Sequence, residues 1–201
     1  MNKASLVVMI SGNGSNLQAI IDAIQADNLH AVIEAVVSNT KEAFGLDRAR
    51  LAGIPAIVKS KRKEQTREQY DAELAEIVKA YQPDFVILAG WMRILTMEFI
   101  GAFPNCIINL HPALPGTFGG VNAIERAWQA YQNKEISHTG VMVHLVPDEG
   151  VDLGPVLAQR IVEINPQDTL EILEKRVHQC EHVLLVETIQ KIIHQLEEKY
   201  A

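Results

Sequence analysis

The chain has 201 residues, 48% of them hydrophobic, and a net charge of -7 at pH 7. That length allows a single domain with a deep core, and the acidic balance argues against a nucleic-acid surface, which needs clustered Lys and Arg to displace phosphate counterions. The two cysteines, Cys106 and Cys180, lie far apart in apolar surroundings, no apolar run approaches a membrane span, and Leu6 to Ile10 is too short for a signal-peptide core, so a soluble, cytoplasmic protein with reduced, buried thiols and no membrane partner is expected.

Ser5 to Ile10 is a β-branched and apolar run that stops at Ser11-Gly12-Asn13-Gly14, after which Leu17, Ile20, Ile21 and Ile24 recur at helical spacing. This predicts a strand, a glycine turn and a helix. Ala31 to Ser38 predicts a second strand, and the basic run Lys59, Lys61, Arg62, Lys63 a solvated loop. Tyr70, Leu74, Ile77, Val78 and Tyr81 mark an amphipathic helix that ends before Pro83. Phe85 to Ala89 reads as a fully buried third strand and Cys106 to Leu110 as a fourth. Alternating strands and helices predict an α/β, Rossmann-like fold, with a mainly parallel sheet covered by helices on both faces.

A Pro- and Gly-rich loop, His111 to Gly120, precedes a helix patterned by Ile124, Ala127, Trp128 and Tyr131. So long an irregular loop in a compact domain is usually functional. Val141 to Val146 and Val156 to Ile164 predict two strands flanking the acidic turn Pro147-Asp148-Glu149-Gly150-Val151-Asp152. Asp168 with Glu171 resembles a capping box that opens a long C-terminal helix, with Leu173, Val177, Cys180, Leu184 and Ile192 facing the core. No internal repeat or linker interrupts the chain, so residues 1–201 read as one domain.

The Gly12-Asn13-Gly14-Ser15-Asn16 turn sits where backbone N–H groups at a helix N-terminus can hold one phosphate, although a purely structural turn would use the same glycines. A dinucleotide fingerprint is not met: Leu17 occupies its third glycine position, and Ser38-Asn39 stands where a carboxylate for a ribose would be. His178-Gln179-Cys180-Glu181-His182 matches the H-x-x-E-H pattern of inverted zinc peptidases, but the chain offers no convincing third ligand. Asn109, His111 and Asp152 are polar residues at strand and loop boundaries, where open α/β folds put their chemistry.

Four segments carry a resemblance over essentially the whole chain: "ISGNGSNLQAII" at 10–21, "ILAGWMRIL" at 87–95, "INLHPALPG" at 108–116 and "HLVPDEGVDLGPV" at 144–156. In this order they closely resemble the folate-dependent formyltransferases, and among them the phosphoribosylglycinamide formyltransferases. The "HPALPG" and "D-x-GP" segments also resemble methionyl-tRNA formyltransferase and formyltetrahydrofolate deformylase, relatives with an extra domain for which 201 residues leave no room.

The resemblance implies transfer of a formyl group from 10-formyltetrahydrofolate to the amine of phosphoribosylglycinamide in purine biosynthesis, without a metal, by a monomer or homodimer. It implies that Gly14, Ser15 and Asn16 cradle the substrate phosphate and that Glu181 binds the ribose hydroxyls, which takes Glu181 out of a zinc site. Met92, Arg93, Ile94 and Leu95 match a segment whose backbone reads the pterin edge, and Arg67 and Val146, Pro147 and Asp148 match further folate contacts. The phosphate side then belongs to the N-terminal half, and the catalytic loops to the C-terminal half.

Asn109, His111 and Asp152 match the catalytic residues, with Asn109 also touching the folate. In acyl transfer, Asn109 would donate an amide N–H to the oxyanion, a protonated His111 would donate another and protonate the leaving nitrogen, and Asp152 would hold the imidazolium. Two departures stand out. Where the family pattern has Pro-Gly and, two residues later, His, this chain has Gly119-Gly120 and Asn122, which predicts a more flexible loop and an altered substrate contact. The competing readings are another formyltetrahydrofolate-using enzyme of this fold, a zinc peptidase and a non-catalytic mononucleotide-binding domain.

Overall fold

The computed structural model describes residues 3–200. Five strands, β1 (Ala4–Ile10), β2 (Ala31–Ser38), β3 (Ala56–Val58), β4 (Phe85–Leu88) and β5 (Ile107–His111), run parallel, and β6 (His138–Leu145) and β7 (Val156–Glu163) extend the sheet antiparallel. The spatial order is β3-β2-β1-β4-β5-β6-β7. Chain direction across the sheet reverses between β1 and β4, and in doubly wound sheets the crevice at the carboxyl ends of such neighbours is where ligands bind.

Burial on both faces explains the unbroken apolar run of β1. Leu6, Val8 and Ile10 enter one core with Leu17 and Ile20 of α1 (Ser15–Gln25) and Leu173, Val177 and Leu185 of α6 (Leu170–Tyr200). Val7 and Met9 enter the other, with Tyr70 and Leu74 of α3 (Arg67–Lys79) and Phe99 of α4 (Met97–Ile100). The predicted α/β, mainly parallel sheet with helices on both faces is what the chain forms. One further helix, α5 (Ala123–Gln132), follows the long loop where its Ile124 and Ala127 pattern placed it.

Several local readings change. The α2 helix (Gly45–Leu51), β3 and α4 were not predicted; seven, three and four residues are too short for a periodic signal. The helix of Tyr70 and Leu74 begins at a capping box the sequence analysis missed, with Thr66 and Gln69 exchanging hydrogen bonds. Asp168 does not cap α6. Its carboxylate takes the Asn165 N–H and both arms of the Arg176 guanidinium, while the Thr169 hydroxyl accepts the Ile172 N–H at 3.3 Å. Phe85 is half-buried, and so are both free cysteines. No described helix is long and apolar enough to cross a membrane.

Candidate active site

The glycine turn after β1 is shaped by a second helix. Gly14, at φ 74°, leads into α1, and a Cβ on it would lie 2.6 Å from the Gly45 Cα at the start of α2. Only glycine satisfies both the left-handed backbone and this approach. Arg48 of α2 fixes the turn: Nε donates to the Asn13 carbonyl at 2.9 Å, Nη2 to Asn13 Oδ1 at 3.0 Å and Nη1 to Gln18 Oε1 at 3.1 Å. The guanidinium is thus spent on the loop, leaving the first N–H groups of α1 for an anion. Asn16 carries a buried Oδ1 without a partner among the described residues.

On α6 the Glu181 carboxylate is 4% exposed and accepts from His178 Nδ1 at 2.6 Å. That hydrogen bond, ahead of an opposing burial effect, raises the His178 pKa above 6.5. One turn on, burial lowers the His182 pKa, and its Nε2 is buried without a described partner.

A cavity of about 580 Å³ opens at the carboxyl ends of β4 and β5. Met92, Arg93, Ile94 and Leu95 line it, and so do Val146 and Asp148. Gly14, Ser15, Asn16, Glu181, Arg67 and Pro147 lie outside its lining. Three side chains missed by the sequence analysis hold the Met92 segment. Ser11 Oγ accepts the Met92 N–H at 2.8 Å, buried Asp71 accepts the Thr96 N–H at 2.6 Å, and the Tyr70 ring lies under the Arg93 guanidinium at 4.9 Å. Arg67 reaches the same segment through the Ile94 carbonyl at 3.4 Å, and pairs with Glu149 at 3.6 Å.

Where β5 and β6 line the cavity, the strand register assembles the polar cluster. Asn109 on β5 pairs directly with His144 on antiparallel β6, which sets their side chains on one face. Asn109 Nδ2 lies 3.1 Å from His144 Nε2 and donates to Asp152 Oδ1 at 3.1 Å. His111, the last residue of β5, has Nδ1 3.3 Å from Asp152 Oδ2 and Nε2 3.1 Å from the Phe118 carbonyl. The Gly120 N–H donates to Asp152 Oδ2 at 2.8 Å. His144 Nδ1 sits 2.8 Å from the Leu145 carbonyl, an acceptor only, and so carries a proton. The sequence analysis missed His144; the antiparallel pairing of β5 with β6 is what brings it to Asn109.

The electrostatics of this cluster alter one expectation. Burial pushes the His111 pKa below 6.5, and the pull of Asp152 and of the Phe118 carbonyl does not overcome it. The ring therefore rests neutral near pH 7 instead of as the expected imidazolium, with acceptors beside both nitrogens ready for the cation. Burial acts to raise Asp152, but the neighbouring His144 ring, the Gly120 N–H hydrogen bond and the adjacent His111 hold it below the usual carboxylate value. Asp152 achieves these contacts from a left-handed backbone at φ 55°.

The loop between β5 and α5 is also tied down more firmly than its glycines predicted. Gly120 needs its φ of 81°, whereas Gly119 has no neighbour closer than 3.9 Å to a built Cβ. Arg126 of α5 donates to the Phe118 and Gly119 carbonyls at 2.5 and 2.6 Å. Asn122 lines the cavity mouth at the start of α5, with no side-chain capping bond.

Comparison with known proteins places this site in context. The formyl transferase family model matches residues 4–189. A phosphoribosylglycinamide formyltransferase of Schizosaccharomyces pombe is 48% identical over 94% of this chain and 97% of its own, and one of Dictyostelium discoideum is 46% identical over 92% and 96%. The crystal structure of glycinamide ribonucleotide transformylase 1 from Geobacillus kaustophilus superposes with a TM-score of 0.88 at 37% identity, covering 94% of this chain and 98% of that one.

Proposed function

Because this chain belongs to the formyl transferase family, we propose that it transfers the formyl group of 10-formyltetrahydrofolate to the amine of phosphoribosylglycinamide, in purine biosynthesis. The observation that carries the chemistry is the meeting of buried His111 and Asp152 at 3.3 Å, beside Asn109 and in the lining of a cavity of about 580 Å³. The family match over residues 4–189 displaces the zinc-peptidase reading of α6.

The amine lone pair attacks the formyl carbon and the carbonyl electrons move to oxygen. Asn109 supports that oxyanion by turning the N–H now aimed at His144 towards it, and His111 supplies a second hydrogen bond once protonated. Neutral His111 keeps its Nδ1 on Asp152 and, with Nε2 turned from the Phe118 carbonyl to the substrate, accepts there the proton that the attacking amine must lose, and Asp152 stabilises the resulting imidazolium. The same proton passes to the folate nitrogen as the carbon–nitrogen bond breaks, so one proton moves from amine to leaving group and none is consumed. Neither a metal nor a covalent enzyme intermediate enters.

Gly14, Ser15 and Asn16 bind the phosphate, and Glu181 the ribose hydroxyls, which suits the anion-binding start of α1 and a carboxylate already paired with His178. Met92, Arg93, Ile94 and Leu95 read the pterin edge through their backbone, and Arg67, Val146, Pro147 and Asp148 make further folate contacts. The enzyme works as one domain in the cytoplasm, for which two free cysteines are suited. Absorbance of the folate product tests the reading: it should rise only when phosphoribosylglycinamide is added to enzyme and 10-formyltetrahydrofolate. A rise independent of the ribonucleotide would make the protein a hydrolase of the same fold.

A further inference from the structure

Phe118 is a non-glycine residue held at φ 44°, inside a stretch where Gly116, Gly120 and Asn122 also have positive φ. A side chain in this left-handed region is disfavoured and persists where its surroundings enforce it. The enforcing contact is Arg126, whose Nη2 reaches the Phe118 carbonyl at 2.5 Å and the Gly119 carbonyl at 2.6 Å. Both ends of this short segment touch the catalytic pair: the Phe118 carbonyl faces His111 Nε2, and the Gly120 N–H donates to Asp152 Oδ2.

We propose that Arg126 is a positioning residue for formyl transfer: by bridging the Phe118 and Gly119 carbonyls it fixes the carbonyl that orients the His111 ring and the N–H that orients Asp152. The inference rests on the function proposed above, and adds to it a residue that touches neither substrate. A planar guanidinium suits the task because one nitrogen can serve two adjacent carbonyls in a fixed plane, which an ammonium on a flexible stem does less well. In a loop where glycine stands at 119, the side chain of the following helix supplies the rigidity that the backbone lacks.

The titratable and charged groups facing His111 are Asp152 from the turn before β7, His144 from β6 and Arg126 itself from α5. Arg126→Lys separates position from charge, since lysine keeps the positive charge and loses the planar guanidinium. Steady-state kinetics of Arg126→Lys should show kcat reduced by about 10- to 100-fold, the scale of a misplaced catalytic group, with the KM for folate nearly unchanged. Free guanidinium should restore activity to Arg126→Ala. Proton NMR titration of the His111 ring, without substrate, should show a lower pKa in Arg126→Lys, because the ring loses the Phe118 carbonyl that favours its cation.

A lysine variant equal to wild type in kcat and in His111 titration would overturn the proposal, as would variants that lose thermal stability and affinity for both substrates while His111 titrates normally. Were wild-type protein inactive on phosphoribosylglycinamide, the functional reading would fail, and the His111 titration would still decide whether Arg126 positions the ring.

Discussion

Asp152 Oδ1 takes a hydrogen bond from Asn109, while Oδ2 takes the Gly120 N–H and faces His111. Removing it therefore disturbs three partners at once. Each single change, His111→Ala or Asp152→Asn, should lower kcat by roughly a hundredfold or more, and the double mutant should lose little further, because either change disables the shared proton carrier. Kinetics of the four proteins, with circular dichroism to establish folding, will show it; fully multiplicative losses would mean that the residues act independently. In the proposed mechanism the neutral imidazole is the base, so kcat should fall as pH drops through a value below 6.5. Asp152→Asn removes a group that raises the His111 pKa, and should move any residual limb to still lower pH. At the ribonucleotide end, Ser15→Ala and Glu181→Ala should raise the KM for phosphoribosylglycinamide with little change in kcat. Arg67→Ala should raise the folate KM alone, and equal effects on both substrates would point to general damage.

Among the elements, the glycine turn and the start of α6 make the sharpest cases. Gly14→Ala combines a left-handed backbone with a contact 2.6 Å from the Gly45 Cα, so it should cost about 2 kcal/mol or more in chemical denaturation, on the scale of backbone strain. A Gly14→Ala protein as stable as wild type would show that α2 does not need the approach. At α6, the Arg176 guanidinium holds the Asp168 carboxyl down to about 2. A carboxylate with a depressed folded pKa stabilises the fold above its ordinary value of 3.8, and loses that contribution as pH falls towards 2. Asp168→Asn should therefore destabilise the protein at neutral pH and narrow its difference from wild type in acid, as thermal melts at several pH values would show.

These two elements also mark what could be read from residues alone. Long apolar periods announced β1, α1, β2, α3 and α6, because burial on one or both faces writes itself into spacing. The α6 cap was misplaced because Asp168, a good capping residue by type, is claimed by Arg176 instead. Asn109, His111 and Asp152 lay in recognisable loops, whereas Arg126, Asp71 and His144 act through contacts across 8, 25 and 35 residues. Tertiary structure alone brings those pairs together.

At the scale of the molecule, the sheet order gathers the ends of β1, β4 and β5 on one edge. It thereby sets the glycine turn, the segment 92–95 and the His111–Asp152 pair along that edge. Transfer between two bound molecules requires that an amine and a formyl carbon be held together at the His111–Asp152 pair, and positioning of that kind is what separates a transferase from a hydrolase. The most direct measurement follows the formyl carbon itself. With carbon-labelled 10-formyltetrahydrofolate, phosphoribosylglycinamide and wild-type protein, mass spectrometry should find the label in the formylated ribonucleotide, and His111→Ala should nearly abolish its appearance. Label released as formate at the same rate with or without the ribonucleotide would contradict the account.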